Sequence, residues 1–182
     1  MRVITGSARG RKLTTLEGLD VRPTTDKVKE SLFNIVQFDV PDSRVLDLFA
    51  GSGQLGIEAL SRGAASAVFV DSSARAIQVV GDNLEHTGLL DRASLKHMGA
   101  QQFLSGSAGP FDLAFLDPPY RKQILPQILP LLADKMSEDG VMVCETAAEE
   151  TLPERAGNFA LAREYRYGKI KLSVYRKREG TD

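Results

Sequence analysis

The stretch FLDPPY, from Phe115 to Tyr120, ends an apolar run with an acid, two prolines and an aromatic ring. Proline fixes its own φ and favours an extended conformation for the preceding residue, so the Asp117 carboxylate and the Pro118 carbonyl become two acceptors in a fixed relation. Two fixed acceptors suit an exocyclic amino group with two hydrogens, and Tyr120 would stack on the base that carries it. The corner indicates chemistry at a base nitrogen; a plain proline stop after a strand is the structural alternative.

A glycine-rich loop lies earlier in the chain. The sequence GSGQLG, residues 51–56, fits GxGxxG, and Asp71 follows twenty residues after Gly51. Between a strand and a helix this pattern predicts a nucleoside-bearing cofactor, with the acid accepting hydrogen bonds from the ribose hydroxyls. Gly51 and Gly53 let the backbone turn tightly and approach the ligand. The spacing alone leaves a dinucleotide and S-adenosylmethionine as alternatives.

Asp47 and the FLDPPY corner favour S-adenosylmethionine over a dinucleotide. Asp47 would repel a pyrophosphate and suits a positively charged amino group, although a loop-capping role is its alternative. A dehydrogenase gives no reason for Asp117 at the same edge. The chemistry would then be an in-line displacement at a methyl carbon, for which orientation could supply roughly 7–11 kcal/mol. The acceptor base would be unpaired or turned out of its helix.

The elements that must position these residues alternate between strands and helices. Seven predicted strands are rich in apolar residues, which predicts an α/β fold with a mostly parallel sheet covered on both faces. The last two strands would form a hairpin turning at Gly168–Lys169, and the chain would open with a short hairpin turning at Gly6 and Gly10. The predicted strands are residues 44–50, 65–71, 93–97, 111–117, 140–146, 159–167 and 169–177. The predicted helices start at Thr24 or Thr25 or lie within 51–63, 73–88, 100–104 and 128–136.

Three acids lie at or near the ends of predicted strands. Asp47 is in the first, Asp71 ends the second and Asp117 ends the fourth. In such sheets ligands collect outside the carboxyl ends of the strands, near the topological switch point. We therefore expect these acids to share one site.

Composition narrows the class of protein. The single cysteine, Cys144, cannot form an internal disulfide and fits a reducing, cytoplasmic setting. No apolar run approaches membrane-spanning length, and the start lacks the apolar segment of a signal peptide. His86 and His97 have no cysteine or carboxylate at ligand spacing, which argues against a metal site.

Positive charge is concentrated at the two ends of the chain. Residues 1–30 carry seven Lys/Arg against four Asp/Glu, residues 163–182 carry seven against three, and residues 31–162 carry nine against seventeen. Basic ends on an acidic body suggest a polyanion contact made by the termini. Two solvated tails are the alternative.

The motifs together resemble a known family. LDLFAGSGQLGIEALSRGA, followed by FVD and FLDPPY, resembles the class I S-adenosylmethionine-dependent methyltransferases that modify exocyclic amino groups. With RPTTDKVKESLFNIV, GSARGRKL and the short length, the chain looks like the RsmD family of bacterial 16S ribosomal RNA guanine-N2 methyltransferases. The resemblance covers nearly the whole chain. DPPY alone is shared with DNA adenine and cytosine-N4 methyltransferases.

The resemblance implies a Rossmann-like class I methyltransferase fold in one domain, residues 1–182. Its sheet would have seven mostly parallel strands with an antiparallel last strand, and helices on both faces. A basic hairpin extension, residues 1–22, would precede the catalytic core, residues 23–182. It also implies S-adenosylmethionine as cofactor, S-adenosylhomocysteine as product and no metal. The substrate would be 16S ribosomal RNA, within a small ribosomal subunit or an assembly intermediate, bound by a cytoplasmic monomer.

The resemblance also assigns residues to roles. The catalytic residues would be Asp117, Pro118, Pro119 and Tyr120. The cofactor would be bound by Thr24, Thr25, Asp47, Phe49, Ala50, Gly51, Ser52, Gly53, Asp71, Ser72, Gly99 and Ala100. RNA phosphates would be bound by Arg9, Arg11, Lys12, Arg22, Arg121 and Lys122. Thr24 and Thr25 could equally cap a helix, and the segment around Gly99 offers only backbone to the adenine.

Three other functions remain open at this point. A DNA amino-methyltransferase would use the same chemistry on another polymer. A nicotinamide-dependent oxidoreductase would use the glycine loop, and a non-catalytic RNA-binding module would use FLDPPY as a structural corner.

Overall fold

The computed structural model describes residues 1–16, 25–119 and 123–179. One eight-stranded sheet has helices on both faces, with strand order β3-β2-β1-β4-β5-β8-β7-β6. The helices are α1 Asp26–Ile35, α2 Gln54–Ser61, α3 Ala74–Thr87, α4 Ala100–Leu104 and α5 Leu125–Ala133, with a 3₁₀ turn at Leu90–Arg92. The strands are β1 Arg44–Leu48, β2 Ser66–Asp71, β3 Ala93–His97, β4 Phe111–Leu116, β5 Met136–Ala147, β6 Arg155–Ala156, β7 Phe159–Tyr167 and β8 Ile170–Lys177. The predicted α/β class is confirmed.

The predicted count of seven strands is wrong, because a strand of two residues, β6, pairs with β7 at the sheet edge. Arg155 lies opposite Ala160 and Ala156 opposite Phe159, across a turn at Gly157 with φ 57°. Two residues are too few to show the alternation by which a strand is recognised. Strands β1 to β5 are parallel, and β8, β7 and β6 are added antiparallel. The predicted antiparallel final hairpin is therefore confirmed.

The order of the parallel strands places the switch point at β1. Strand β1 lies between β2 and β4, with Leu48 opposite Val70 on one side and Leu116 on the other. From β1 the chain continues to β2 on one side, and from β4 it continues to β5 on the other side. Connections that run in opposite directions open a crevice beyond the carboxyl ends of β1 and β4. Asp71 ends β2 and Asp117 directly follows β4, so both acids reach this crevice.

Two apolar layers fix the sheet between its helices. On one face α1, α2 and α3 pack against the sheet, and the rings of Phe33 and Phe115 lie 5.4 Å apart. On the other face α4 and α5 cover Met142, Cys144 and neighbouring residues. Strands buried on both faces explain the nearly continuous apolar runs of the sequence.

The first helix begins where the sequence offers a cap. The Thr25 hydroxyl accepts a hydrogen bond from the Val28 amide at 3.3 Å, and Asp26 lies in the first turn of α1. Both features favour a helix start, because they satisfy a free amide and complement the helix dipole. Within the described residues, no helix combines the length and the apolar character that crossing a membrane would require.

The N-terminal segment, residues 1–16, is less regular than the predicted hairpin. It contains one antiparallel bridge, Arg2 with Lys12, and Gly6 and Gly10 have φ of 95° and 83°. Gly6 packs so closely on α2 that a Cβ there would lie 1.9 Å from the Ser61 carbonyl oxygen. Backbone hydrogen bonds also join Val3 to Arg11 and Met1 to Leu13, so the segment is a short antiparallel hairpin whose backbone packs on α2.

Candidate functional site

A cavity of about 460 Å³ lies beyond the carboxyl ends of β1, β2 and β4. Its size falls in the range typical of small-molecule sites. Its wall comprises Met1, Thr15, Leu16, Asp47, Phe49, Ala50, Gly51, Ser52, Gln54, Leu55, Val70, Asp71, Ser72, Ser73, Ala76, Met98, Gly99, Ala100, Asp117, Pro118 and Pro119.

Asp71 braces the glycine loop against β2. One carboxylate oxygen accepts from the Gly51 amide at 2.9 Å, and the other accepts from the Ser73 amide at 2.9 Å. The loop needs left-handed backbone, with φ of 58° at Gly51 and 83° at Gly53. Because each carboxylate oxygen can accept more than one hydrogen bond, Asp71 keeps acceptor capacity towards the cavity.

Asp47 accepts a hydrogen bond from the first turn of α2, which is a structural role like the loop-capping one given as its alternative. It is 2% exposed, and its Oδ2 accepts from the Gly56 amide at 3.0 Å. Burial raises the pKa of Asp47 to about 8, against the smaller opposite effect of this hydrogen bond. A Cβ at Gly56 would lie 2.4 Å from the Phe69 ring, so the motif's third glycine lets α2 approach β2. Asp47 also belongs to the cavity wall.

The Asp117-Pro118-Pro119 corner opens on the same cavity as the glycine loop. It follows Leu116, which lies opposite Leu48 at the end of β1. Asp117 is half-buried, Pro118 is buried and Pro119 is exposed. One space therefore adjoins the loop, Asp71 and the corner.

Asn83 links the glycine loop to the N-terminal segment. Its side chain accepts from the Thr14 amide at 2.8 Å and donates to the Thr14 and Ser52 carbonyls, each at 3.0 Å. Asn83 is 1% exposed. These bonds hold Thr15 and Leu16, the next residues along the chain, against the cavity. The N-terminal segment thus forms part of the wall.

The described residues contain no group of three or more His, Cys, Asp or Glu able to hold a metal ion. Cys144 is fully buried, and burial raises the pKa of its thiol far above the usual range. Neither observation supplies a second reactive centre.

Comparison with known proteins identifies the family. A model described as conserved hypothetical protein 95 matches residues 1–176. Ribosomal RNA small subunit methyltransferase D of Escherichia coli (strain K12) is 36% identical over 179 residues, covering 97% of this chain and 90% of that protein. The protein YlbH of Bacillus subtilis (strain 168) is 44% identical over 183 residues, 98% of this chain and 100% of that one. The chain belongs to the RsmD family.

A solved structure agrees with this family membership. The structure of yhhF from Escherichia coli matches with a TM-score of 0.87 and 37% identity, covering 97% of each chain. The family resemblance stated from the motifs is therefore confirmed over nearly the whole chain.

Most of the residues that the RsmD resemblance assigns to the cofactor line the cavity. Thr25 and Gly53 do not line the cavity. Thr25 caps α1, and Gly53 packs against Val80, whose Cγ1 would lie 3.1 Å from a Cβ at position 53. Arg9, Arg11 and Lys12 are exposed on the N-terminal segment. Arg22, Thr24, Tyr120, Arg121 and Lys122 lie outside the described residues.

Sequence reasoning missed much of the cavity wall. The missed residues are Met1, Thr15, Leu16, Gln54, Leu55, Val70, Ser73, Ala76 and Met98. Gln54 and Leu55 occupy the two variable positions of the GxGxxG motif. Their place in the motif was the only sign in the sequence that they could line the cavity. The N-terminal residues gave none, because the Thr14–Asn83 contact joins residues 69 positions apart.

Proposed function

We propose that the protein transfers a methyl group from S-adenosylmethionine to the exocyclic N2 amino group of a guanine in 16S ribosomal RNA. The observation that carries the proposal is the shared cavity, in which Asp117 and Pro118 adjoin the glycine loop and Asp71. Family membership supports ribosomal RNA as the substrate, since the Escherichia coli relative is named a ribosomal RNA small subunit methyltransferase.

The residues of the cavity fit the cofactor in three parts. Asp71 at the end of β2 accepts from the ribose hydroxyls, and the wall at Gly99 and Ala100 meets the adenine. Asp47 and Ser52 lie at the end of β1, where the amino-acid end would bind. S-adenosylmethionine would supply a methyl group carried on a positively charged sulfur. With the adenine, ribose and amino-acid end placed in this order, the methyl group would face the end of β4.

Asp117 and the Pro118 carbonyl orient the acceptor. They accept the two hydrogens of the guanine amino group, which draws its nitrogen towards tetrahedral geometry and makes its lone pair available. A nitrogen–carbon bond forms as the sulfur–carbon bond breaks, and S-adenosylhomocysteine leaves. The nitrogen then loses a proton to solvent, so Asp117 need not act as a base before attack. Tyr120 stacks on the base after it leaves its helix.

Cations of the N-terminal extension, residues 1–22, and cations that follow FLDPPY provide the phosphate contacts within a single-domain protein. Arg9, Arg11 and Lys12 are exposed there, and Arg22, Arg121 and Lys122 complete the proposed set. Phosphate contacts position an RNA but carry little sequence information, so a folded ribosomal substrate supplies the remaining specificity. We propose a small-subunit assembly intermediate as that substrate, a cytoplasmic location and a monomeric enzyme.

Replacement of Asp117 tests the acceptor site. Asp117→Ala is expected to reduce transfer of a labelled methyl group to ribosomal RNA by at least about a hundredfold, as loss of an oriented catalytic group does elsewhere. Binding of S-adenosylhomocysteine by calorimetry should survive. Asp139→Ala, an exposed acid in β5, serves as the matched control. Retained RNA labelling by Asp117→Ala would refute the proposed role, and labelling of duplex DNA in place of RNA would favour a DNA enzyme.

A further inference from the structure

Strand β7 carries two tyrosines that the proposed function does not use. Tyr165 and Tyr167 pack against the apolar layer that α1, α2 and α3 share with the sheet, and each keeps part of its surface exposed. Tyr175, by contrast, is fully buried and donates its hydroxyl hydrogen to the Pro153 carbonyl. Tyr175 is therefore a core residue, whereas the two rings of β7 are accessible to a partner outside the chain.

A β-bulge decides which face of the sheet these two rings occupy. Leu161 lies opposite Tyr175 and packs against the layer under α4 and α5. The register shifts between Leu161 and Arg163, and the odd-numbered residues after the shift lie on the other face. Bulges are frequent beside active sites, where they re-aim side chains. Here the bulge brings Arg163, Tyr165 and Tyr167 into one row, which we call the hairpin row.

The charge of the hairpin row is positive. The guanidinium carbon of Arg163 lies 4.9 Å from the centre of the Tyr165 ring, within the range of a cation–π contact, and Arg163 itself is exposed. Lys169, at the turn of the hairpin, is also exposed. Glu164 points to the opposite face, where it pairs with Lys171 at 2.8 Å. Aromatic rings beside unneutralised cations suit a nucleic acid, whose bases stack and whose phosphates are negative.

The register of the sheet places the hairpin row level with the DPPY corner. Asp117 follows the last pair of β4 with β5 and so comes level with Glu145. Glu145 lies opposite Leu172, and Leu172 lies opposite Tyr165. Tyr167 is two residues further towards the edge of the sheet where the cavity opens. Three strand spacings separate Asp117 from Tyr165, or about 14 Å, a distance that a few nucleotides of single-stranded RNA span.

We propose that the hairpin row stacks on unpaired bases of the RNA strand beside the target guanine. A base that leaves its helix to reach the corner gives up its own stacking and exposes the faces of its neighbours. Tyrosine rings and arginine guanidinium planes replace such stacking whatever the base, which suits flanking nucleotides. The inference rests on the proposed function for RNA as the substrate. It adds a binding surface that lies three strands away from Asp117.

Removal of the two rings tests this contact. The Tyr165→Ala/Tyr167→Ala variant should raise KM for small ribosomal subunits, isolated from cells that lack the protein, by at least about tenfold, as expected for lost base–aromatic stacks. The value of kcat should be kept. Affinity for S-adenosylhomocysteine should also be kept, because neither ring belongs to the cavity wall. Phenylalanine at both positions should restore KM, since the ring still stacks.

Phe38→Ala is the matched control. Phe38 is also an aromatic residue and is 89% exposed, but it lies between α1 and β1, at the opposite edge of the sheet from the cavity. Its replacement should leave KM for the subunits unchanged. An equal rise in KM for Phe38→Ala would overturn the proposal, because any exposed ring would then have the same effect.

Ultraviolet cross-linking identifies the partner of the hairpin row without any substitution. The wild-type protein is irradiated on the same subunits, and its peptides are analysed by mass spectrometry. Peptides with Tyr165 and Tyr167 should carry nucleotide adducts. Nucleotide adducts confined to the N-terminal segment, or a ribosomal protein cross-linked to these tyrosines in place of RNA, would overturn the proposal.

The remaining outcomes separate this proposal from the proposed function. Unchanged KM for the double alanine variant, or a parallel loss of S-adenosylhomocysteine affinity, would overturn the stacking role alone, provided that the wild-type protein methylates the subunits. Nucleotide adducts on Tyr165 and Tyr167 without methyl transfer by the wild-type protein would instead support the hairpin row and overturn the proposed reaction.

Discussion

The N-terminal segment and the β7–β8 hairpin both carry surplus positive charge, but they are attached to the molecule in different ways. The hairpin continues the sheet, and β8 pairs with β5 from Val141 to Ala147 by a regular main-chain ladder. The N-terminal segment has a single bridge of its own and is held by the buried side chains of Glu58 and Asn83. A few side chains therefore decide whether the first part of the cavity wall forms.

The cations of the two regions also differ. Three cations of β8 have acidic partners, in the pairs Lys171–Glu164, Arg176–Asp39 and Lys177–Glu138. Arg9, Arg11 and Lys12 are exposed, and none has an ion-pair partner within the described ranges. The charge counts along the sequence predicted a polyanion contact at both ends of the chain without distinguishing between them. Arg2 is paired with Asp26, but Arg9, Arg11 and Lys12 have no acidic partner among the described residues, which supports their proposed contact with a polyanion.

The largest difference between the two regions is expected when Glu58, which holds the N-terminal segment, is replaced. This carboxylate is fully buried, accepts from the Ile4 and Thr5 amides at 2.8 and 3.0 Å, and lies 3.3 Å from the buried Lys29 ammonium. Glu58→Ala leaves Lys29 buried without this partner, and removal of one member of a buried pair costs roughly 3–5 kcal/mol. We expect that loss in the free energy of unfolding, measured with urea.

Glu138 provides the matched control in the hairpin region. Its partner is Lys177, and its side chain is 79% exposed. Glu138→Ala should leave the urea midpoint unchanged, because exposed pairs contribute little. Similar midpoints for the Glu58 and Glu138 variants would contradict the difference drawn between the two regions.

A smaller effect is expected at Asn83, which joins Thr14 to the Ser52 carbonyl. Asn83→Ala removes three hydrogen bonds in a buried place and should cost about 1–3 kcal/mol. It should also weaken S-adenosylhomocysteine roughly tenfold, because the loop and wall lose their common support. Calorimetry measures the affinity, and Asn158→Ala in the exposed β6–β7 turn is the control. Full affinity with reduced stability would show that the link does not serve the cavity.

The last prediction concerns Asp47 and is measured as a dependence of stability on pH. Its pKa is raised in the folded state from 3.8 to about 8, so between these values the folded protein binds the proton more tightly than the unfolded chain. Stability contributed by the protonated carboxyl is thus present at low pH and is lost as pH rises towards 8. The slope is at most about 1.4 kcal/mol per pH unit.

Asp47→Asn should remove that slope between pH 5 and 8, as urea unfolding at several pH values would show. An ammonium group beside Asp47 favours its ionised form, so cofactor binding at pH 7 should release a proton. Calorimetry in buffers of different ionisation enthalpy measures this release. Equal slopes for the wild-type and Asp47→Asn proteins, or proton release that persists in the variant, would exclude Asp47 as the group.

The sequence predicted the parts of the site that depend on local pattern. The apolar runs predicted β1, β2 and β4, and the parallel arrangement then brought Asp71 and Asp117 to one edge. The GxGxxG spacing predicted the loop, because positive φ and close approach both demand glycine there. These signals lie within a few residues of the features they predict.

The rest of the site depends on contacts between distant residues. Nothing near Asn83 shows that its amide reaches Thr14, and Met1 gives no sign that it lies at the cavity. Asp47 shows the same difficulty in another form. Its position predicted a charged partner for a ligand, whereas its burial and its bond to Gly56 arise only when α2 packs on β2. Strand β6 was missed because two residues carry no periodic pattern.

The edges of the sheet determine how readily one copy of the protein can associate with another by strand addition. One sheet margin is β3, of five residues and carrying the exposed Lys96. The other is the outer side of β7, which β6 covers only at Phe159 and Ala160 and which carries the exposed Arg163, Glu164 and Arg166. A long bare margin invites strand addition by a neighbouring chain, whereas short, charged margins resist it. The charged side chains on both margins therefore disfavour growth into fibrils or strand-swapped pairs, in agreement with the proposal of a monomeric enzyme.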